Sequence, residues 1–92
     1  MSFKKNWTSN KIISSDGYVV KILSRTMISY EDGSTRVYIN AEHLAPRRTW
    51  AVFFDDMRVD AEDGRQLTDE NLRKLIAGRV VEVFAFLDWK IE

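Results

Sequence analysis

Few residues in this chain are of types that do chemistry, and their spacing matters more than their number. His43 is the single histidine. With Glu42 beside it, it offers the pair from which a general base is built. Adjacent residues on a strand point to opposite faces, so the two would meet only across a bulge. His43 therefore reads as a histidine in a loop or at a strand end. One histidine makes a metal site only with well-placed carboxylates. The carboxylates that cluster are Asp55, Asp56, Asp60, Glu62 and Asp63. They do not follow the Asp-x-Asp-x-Asp-Gly pattern, and no later glutamate closes a shell at the required distance. No metal and no cofactor is expected.

Other chemistries fall away on composition. There is no cysteine, which excludes disulfides, thiolate zinc sites and a cysteine nucleophile. No Ser/His/Asp order, nucleophile elbow or phosphate-cradling glycine-rich loop occurs, so an enzyme is not expected. Arg47-Arg48 next to Trp50 is the best local candidate for nucleic acid, but the other basic residues are spread over several strands and offset by acids. Nucleic acid is not an expected partner. Trp7, Trp50 and Trp89 read as core or core-edge residues rather than a ligand platform.

Charge distribution says more. The net charge is zero, yet residues 1–54 carry eight basic groups against four acids, and residues 55–70 carry seven acids against Arg58 and Arg65. Two readings stand for this acidic stretch. It is a solvated loop with acids at a helix start, or a negative patch that meets a basic partner. On the second reading the partner-binding residues are Asp55, Asp56, Arg58, Asp60, Glu62 and Asp63.

The elements that must position these residues follow from periodicity. Leu72, Leu75, Ile76, Val80, Val83, Phe84 and Leu87 recur at spacings of three and four, which predicts one long helix running through Gly78. Thr68 is the expected N-cap, with Asp69 and Glu70 favourably placed against the helix dipole. Arg79 projects into the apolar arc and must snorkel or find a buried acid. Upstream, Asp16-Gly17 and Asp32-Gly33 separate apolar runs, the signal of hairpin turns whose central residues accept positive φ. The first hairpin joins 11–14 to 18–23, the second 26–31 to 35–41. In the second, Thr26, Ile28 and Tyr30 fall on one face, and Val37, Ile39 and Ala41 fall together on the partner strand. Arg36, Tyr38, Asn40 and Glu42 take the solvated side.

Residues 41–48 read as a connection. Residues 49–54 read as a central strand or one covered on both faces, 57–66 as a loop or short ribbon, and 89–92 as a closing edge strand. The fold class is α+β: a small antiparallel sheet of about five or six strands with the helix packed on one face. Ninety-two residues suit a single domain, 1–92, with 1–10 as an N-terminal arm. Two N-terminal lysines without a following apolar stretch do not make a signal peptide. No apolar run approaches the roughly 18–20 residues that span a bilayer, so the expected location is cytoplasmic and no membrane partner is expected.

In the order of its features the chain resembles the immunity protein 74 family of bacterial polymorphic-toxin systems. The similar elements are Val20-Lys-Ile-Leu-Ser-Arg-Thr-Met-Ile-Ser-Tyr30 with the acidic turn after it, a strand ending in Glu42, and the apolar strand entering Asp55-Asp56-Met57-Arg58. The Leu67-Thr68 helix start and Phe86-Leu-Asp-Trp-Lys-Ile-Glu92 complete it, over residues 15–92. The resemblance implies an α+β fold and a small cytoplasmic protein that neutralises a toxin encoded beside it, without supplying contact residues. Joined to the charge reading, it gives an immunity protein whose acidic segment contacts a cognate toxin domain with a basic surface, such as a nuclease. The alternative is a small-ligand-binding or enzymatic α+β domain with a pocket between sheet and helix near His43 or Arg79. A third reading is an adaptor that pairs through the 89–92 edge.

Overall fold

Alternating burial divides the first two-thirds of the chain into strands, and helical spacing claims most of the rest. A computed structural model describes residues 2–6, 8, 10–33, 35–44, 48–59 and 65–91. The strands are β1 (Phe3–Asn6), β2 (Lys11–Ser14), β3 (Tyr18–Ser24), β4 (Met27–Asp32), β5 (Thr35–Leu44), β6 (Thr49–Arg58) and β7 (Lys90–Ile91). The helix α1 (Glu70–Phe86) separates the last two. All seven strands form one sheet in sequence order. Neighbours are antiparallel except β7, which lies parallel to β6 through Thr49↔Lys90 and Trp50↔Ile91. This is the expected α+β class, with more strands than expected. Part of the 1–10 stretch contributes β1, paired to β2 from Phe3↔Ser14 to Asn6↔Lys11.

The sheet curls around the helix. Phe3 of β1 meets Phe86 at the end of α1, ring centroids 5.3 Å apart, and the Lys5 ammonium stands 5.7 Å over the Trp89 ring. The first strand thus comes close to the segment that leads into the last. Inside, Ile12, Val20, Ile28, Tyr30, Val37, Ile39, Trp50 and Met57 from the sheet close on Ile76, Val80, Val83 and Phe84 from the helix. All but Met57, which lies an odd step from Trp50 along β6, obey the period of their own element.

The helix runs unbroken through Gly78. Its β-branched residues cost a few tenths of a kcal/mol each and the glycine about 1 kcal/mol. Burying four large side chains returns roughly 1.5–3 kcal/mol apiece before entropy, so packing wins. Leu75 departs from the expected stripe and is 46% exposed. The N-cap is Asp69 rather than Thr68: its carboxylate accepts the Leu72 N–H at 3.1 Å. At the other end Trp89 N–H bonds to Phe84 O (2.9 Å) and Asp88 N–H to Ala85 O (3.1 Å). These are the paired bonds of a Schellman motif. Asp88 takes the left-handed conformation it demands (φ +59°), and Trp89 packs edge-on to Phe84 at 5.4 Å. The chain reverses there and enters β7.

Several boundaries differ from expectation. Residues 41–44 belong to β5 rather than to a connection, because Ala41 is buried opposite Val52. Pro46 and Arg47 lie outside the described residues. Asp55, Asp56, Met57 and Arg58 extend β6, with Met57 in the core. Residues 49–54 lie in a central strand, between β5 and β7, and it is not covered on both faces, since Phe53 is 45% exposed. The turn chemistry differs too. Gly17 and Gly33 have positive φ, whereas Asp16 and Asp32 do not. The first loop spans residues 15–17, closed by Gly17 N–H on Ser14 O at 3.0 Å. Asp32 pairs with Thr35, so it closes the second turn instead of occupying its centre. Among the described residues no helix is long and apolar enough to cross a membrane.

Candidate partner-binding site

The acidic segment begins inside β6, and a register irregularity there decides where its first members point. Val52 pairs with Ala41 and Met57 with Ile39, so β6 spends more residues than β5 over the same interval. An odd step would normally send Val52 and Met57 to opposite faces. The bulge reverses the parity and lets both reach the core. Asp56 consequently stands beside Asn40 on the outer face. It accepts hydrogen bonds from Asn40 Nδ2, Arg58 Nε (2.9 Å) and Gln66 Nε2 (3.1 Å). These three donors, Asn40 foremost, then Gln66 and Arg58, hold its carboxyl below the ordinary aspartate value, because each favours the charged form.

Gln66 comes from the returning strand of a short ribbon. Arg58 and Gln66 form a bridge. Val59 N–H bonds to Arg65 O at 2.9 Å, and Leu67 N–H to Met57 O at 2.8 Å. The ribbon fixes the two ends from which the acidic tip departs. Asp60, Glu62 and Asp63 fall between those ends and lie outside the described residues. Asp55 is exposed and lines an open recess with Phe54 and, on α1, Glu70, Arg73, Lys74 and Ala77. Of the six expected contact residues, the fold thus joins Asp56 and Arg58 as a bound pair and places Asp55 apart from them, toward the helix.

The other candidates resolve differently. Glu42 is exposed opposite Ala51, and His43 lies opposite Trp50 on the other face, so the two do not meet. His43 is at the end of β5, its ring stacked on Trp50 at 4.8 Å. Trp50 in turn stacks on Trp89 at 5.5 Å, and Phe84 sits edge-on to both. Trp50 Nε1 is buried without an acceptor. Arg79 finds partners, though its acid, Asp32, is exposed rather than buried. Its Nη1 donates to the Tyr30 hydroxyl (2.6 Å) and to Asp32 Oδ2 (3.0 Å), while the guanidinium lies 4.5 Å over the Tyr18 ring. Burial raises the pKa of Tyr30, so the hydroxyl stays neutral. Among the described residues, side chains of the core pack directly between sheet and helix. The recess beside Arg79, lined also by Asp16, Lys74, Leu75, Gly78 and Glu82, is open to solvent.

Asn40, Gln66, Tyr30 and Asp32 are the hydrogen-bonding neighbours of Asp56 and Arg79 that periodicity alone misses. Nothing in the sequence links position 40 to 56, or 30 to 79; only register and helix placement do. Among the described residues no three His, Asp or Glu side chains gather as a cation site. No protein-family model, curated protein or solved structure matches the chain.

Proposed function

We propose that this is an immunity (antitoxin-like) protein, not an enzyme, which acts in the cytoplasm by binding and neutralising a cognate secreted bacterial toxin domain through its acidic surface at 55–70. One observation carries the reading: the β6 ribbon, tied at Val59–Arg65 and Met57–Leu67, anchors both ends of the acidic tip, and Asp56 locks its base with three hydrogen bonds. Asp56 and Arg58, already held by hydrogen bonds, need little further ordering when a partner binds, so more of the attraction is realised as affinity. Several carboxylates within one short segment also raise the encounter rate with a basic surface of the kind that binds phosphates. The layout shared with the immunity protein 74 family points the same way.

The test co-expresses the chain with the toxic C-terminal domain of the secreted protein encoded beside it and measures growth rescue. Asp55→Lys, Asp60→Lys and Glu62→Lys together should slow association about tenfold or more at low salt and less at high salt. Asp56 is spared because it holds the ribbon. An unchanged association rate and affinity in the triple variant would remove the acidic segment from the interface.

A further inference from the structure

The solvent face of α1 reads alike from either end. Asn71, Lys74 and Leu75 stand seven, four and three residues before Gly78. Ala85, Glu82 and Val81 stand at the same distances after it, and all of them, Gly78 included, are exposed. Steps of three and four keep them on one stripe. Leu75 and Val81 leave apolar surface in water, at 46% and 48% exposure. A glycine inside a helix is destabilising, and a Cβ at Gly78 would meet nothing within 4 Å. Packing within the chain therefore does not ask for a glycine there. Among the described residues neither Lys74 nor Glu82 makes an ion pair. Asp16 and Asp55 share the recesses beside Lys74 without closing on it. Arg79, next to Glu82 in one of those recesses, is already bound to Tyr30 and Asp32.

We propose that α1 packs antiparallel against α1 of a second copy, about a two-fold axis beside Gly78. Residues equally far on either side of Gly78 then come level across the contact. Lys74 of each copy faces Glu82 of the other, Leu75 comes level with Val81, and Asn71 with Ala85. Every contact is made twice, as two-fold symmetry requires. At the centre glycine meets glycine, and the missing Cβ lets the axes close to the short end of helix packing, roughly 8 Å. Unbroken exposure of the stripe from 71 to 85 leaves about 21 Å of helix open to a neighbour. An antiparallel copy of this same stripe matches base to acid and apolar to apolar at the levels nearest the axis. That match selects a second copy as the occupant. One helix per copy makes a small interface, so the dimer is a weak one.

Sedimentation velocity on the full chain, with no toxin present, tests this independently of the immunity reading. The expected result is a concentration-dependent dimer that weakens as salt rises. Val81→Glu should give monomer. Lys74→Glu and Glu82→Lys should each weaken the dimer about tenfold at low salt, and the two in one chain should recover most of the loss. The chain has no cysteine, so a single introduced thiol reports the register. Gly78→Cys should cross-link into a covalent dimer under mild oxidation. Lys74→Cys should not, because the two copies of residue 74 lie about 12 Å apart along the axis, beyond disulfide reach. All these positions are exposed, and far-UV circular dichroism of each variant verifies the fold. A wild-type chain that stays monomeric at low salt and high protein concentration overturns the proposal; growth rescue lost with Val81→Glu would then give this face to the toxin. A dimer indifferent to these substitutions, or one cross-linked faster through Lys74→Cys than through Gly78→Cys, overturns it as well.

Discussion

Asp56 and Arg79 are the two charged side chains whose surroundings are most fully built, and each makes a distinct prediction. Asp56 has its carboxyl pulled below the ordinary value of 3.8 by Asn40, Gln66 and Arg58. A depressed carboxylate binds fewer protons folded than unfolded, so its stabilisation is present above the unfolded pKa and lost as pH falls through the folded one. Asp56→Asn should therefore cost about 1–2 kcal/mol at neutral pH. The gap to wild type should begin to close below about pH 4, followed by urea unfolding from neutral to strongly acidic buffer. Arg79 acts through shape as well as charge, donating to Tyr30 and Asp32 while covering Tyr18. Arg79→Met should cost about 1–2 kcal/mol, and Arg79→Lys should restore only part of it, because an ammonium lacks the planar stack. Urea midpoints measure the cost, and near-ultraviolet circular dichroism of the tyrosines registers the lost stack. The sequence marked Arg79 as anomalous on its apolar arc. Its partners, 47 and 49 residues away, required the helix to be set on the sheet.

The helix was legible as an element because burial at period 3.6 is a strong, redundant signal. Its ends were less so. Thr68 and Asp69 are both good caps by residue type, and the choice depends on which backbone turns first. Asp69→Ala should cost about 1 kcal/mol and Thr68→Ala only a few tenths, a difference that thermal unfolding resolves. At the far end Asp88 holds the left-handed conformation at φ +59°, which a residue with a Cβ adopts at a cost of about 1 kcal/mol. Asp88→Gly should raise stability by about that amount, provided the Schellman bonds persist. Gly78 is the mirror case. A Cβ there meets nothing within 4 Å, so Gly78→Ala should gain about 0.5–1 kcal/mol. The hairpins were equally visible in their Asp-Gly pairs, but the turns were not both centred on them. Both glycines take the positive φ; Asp32 precedes its glycine as the last residue of β4, whereas Asp16 lies inside the 15–17 loop.

At the scale of the whole molecule one cluster ties every part together. Phe84 is buried against Trp50 of β6 and Trp89 before β7, so it joins helix, sheet and C-terminal closure. Phe84→Ala should remove about 3–5 kcal/mol, much of the 5–15 kcal/mol or so that a domain has in total. Loss of a cooperative urea transition, or a large fall in its midpoint, is the expected result. The sequence by itself determined the α+β class, the single long helix, the two hairpins and the acidic bias of 55–70, since each rests on local period or composition. Tertiary structure alone decided that β6 bulges so that Asp56 binds Asn40 instead of facing solvent freely. It also decided that Lys4, Lys11 and Lys21 share one surface. Both outcomes depend on cross-strand register, which is set by burying Val52 and Met57 together and by turn geometry summed over the sheet. A one-residue change in register would send each of those side chains to the opposite face.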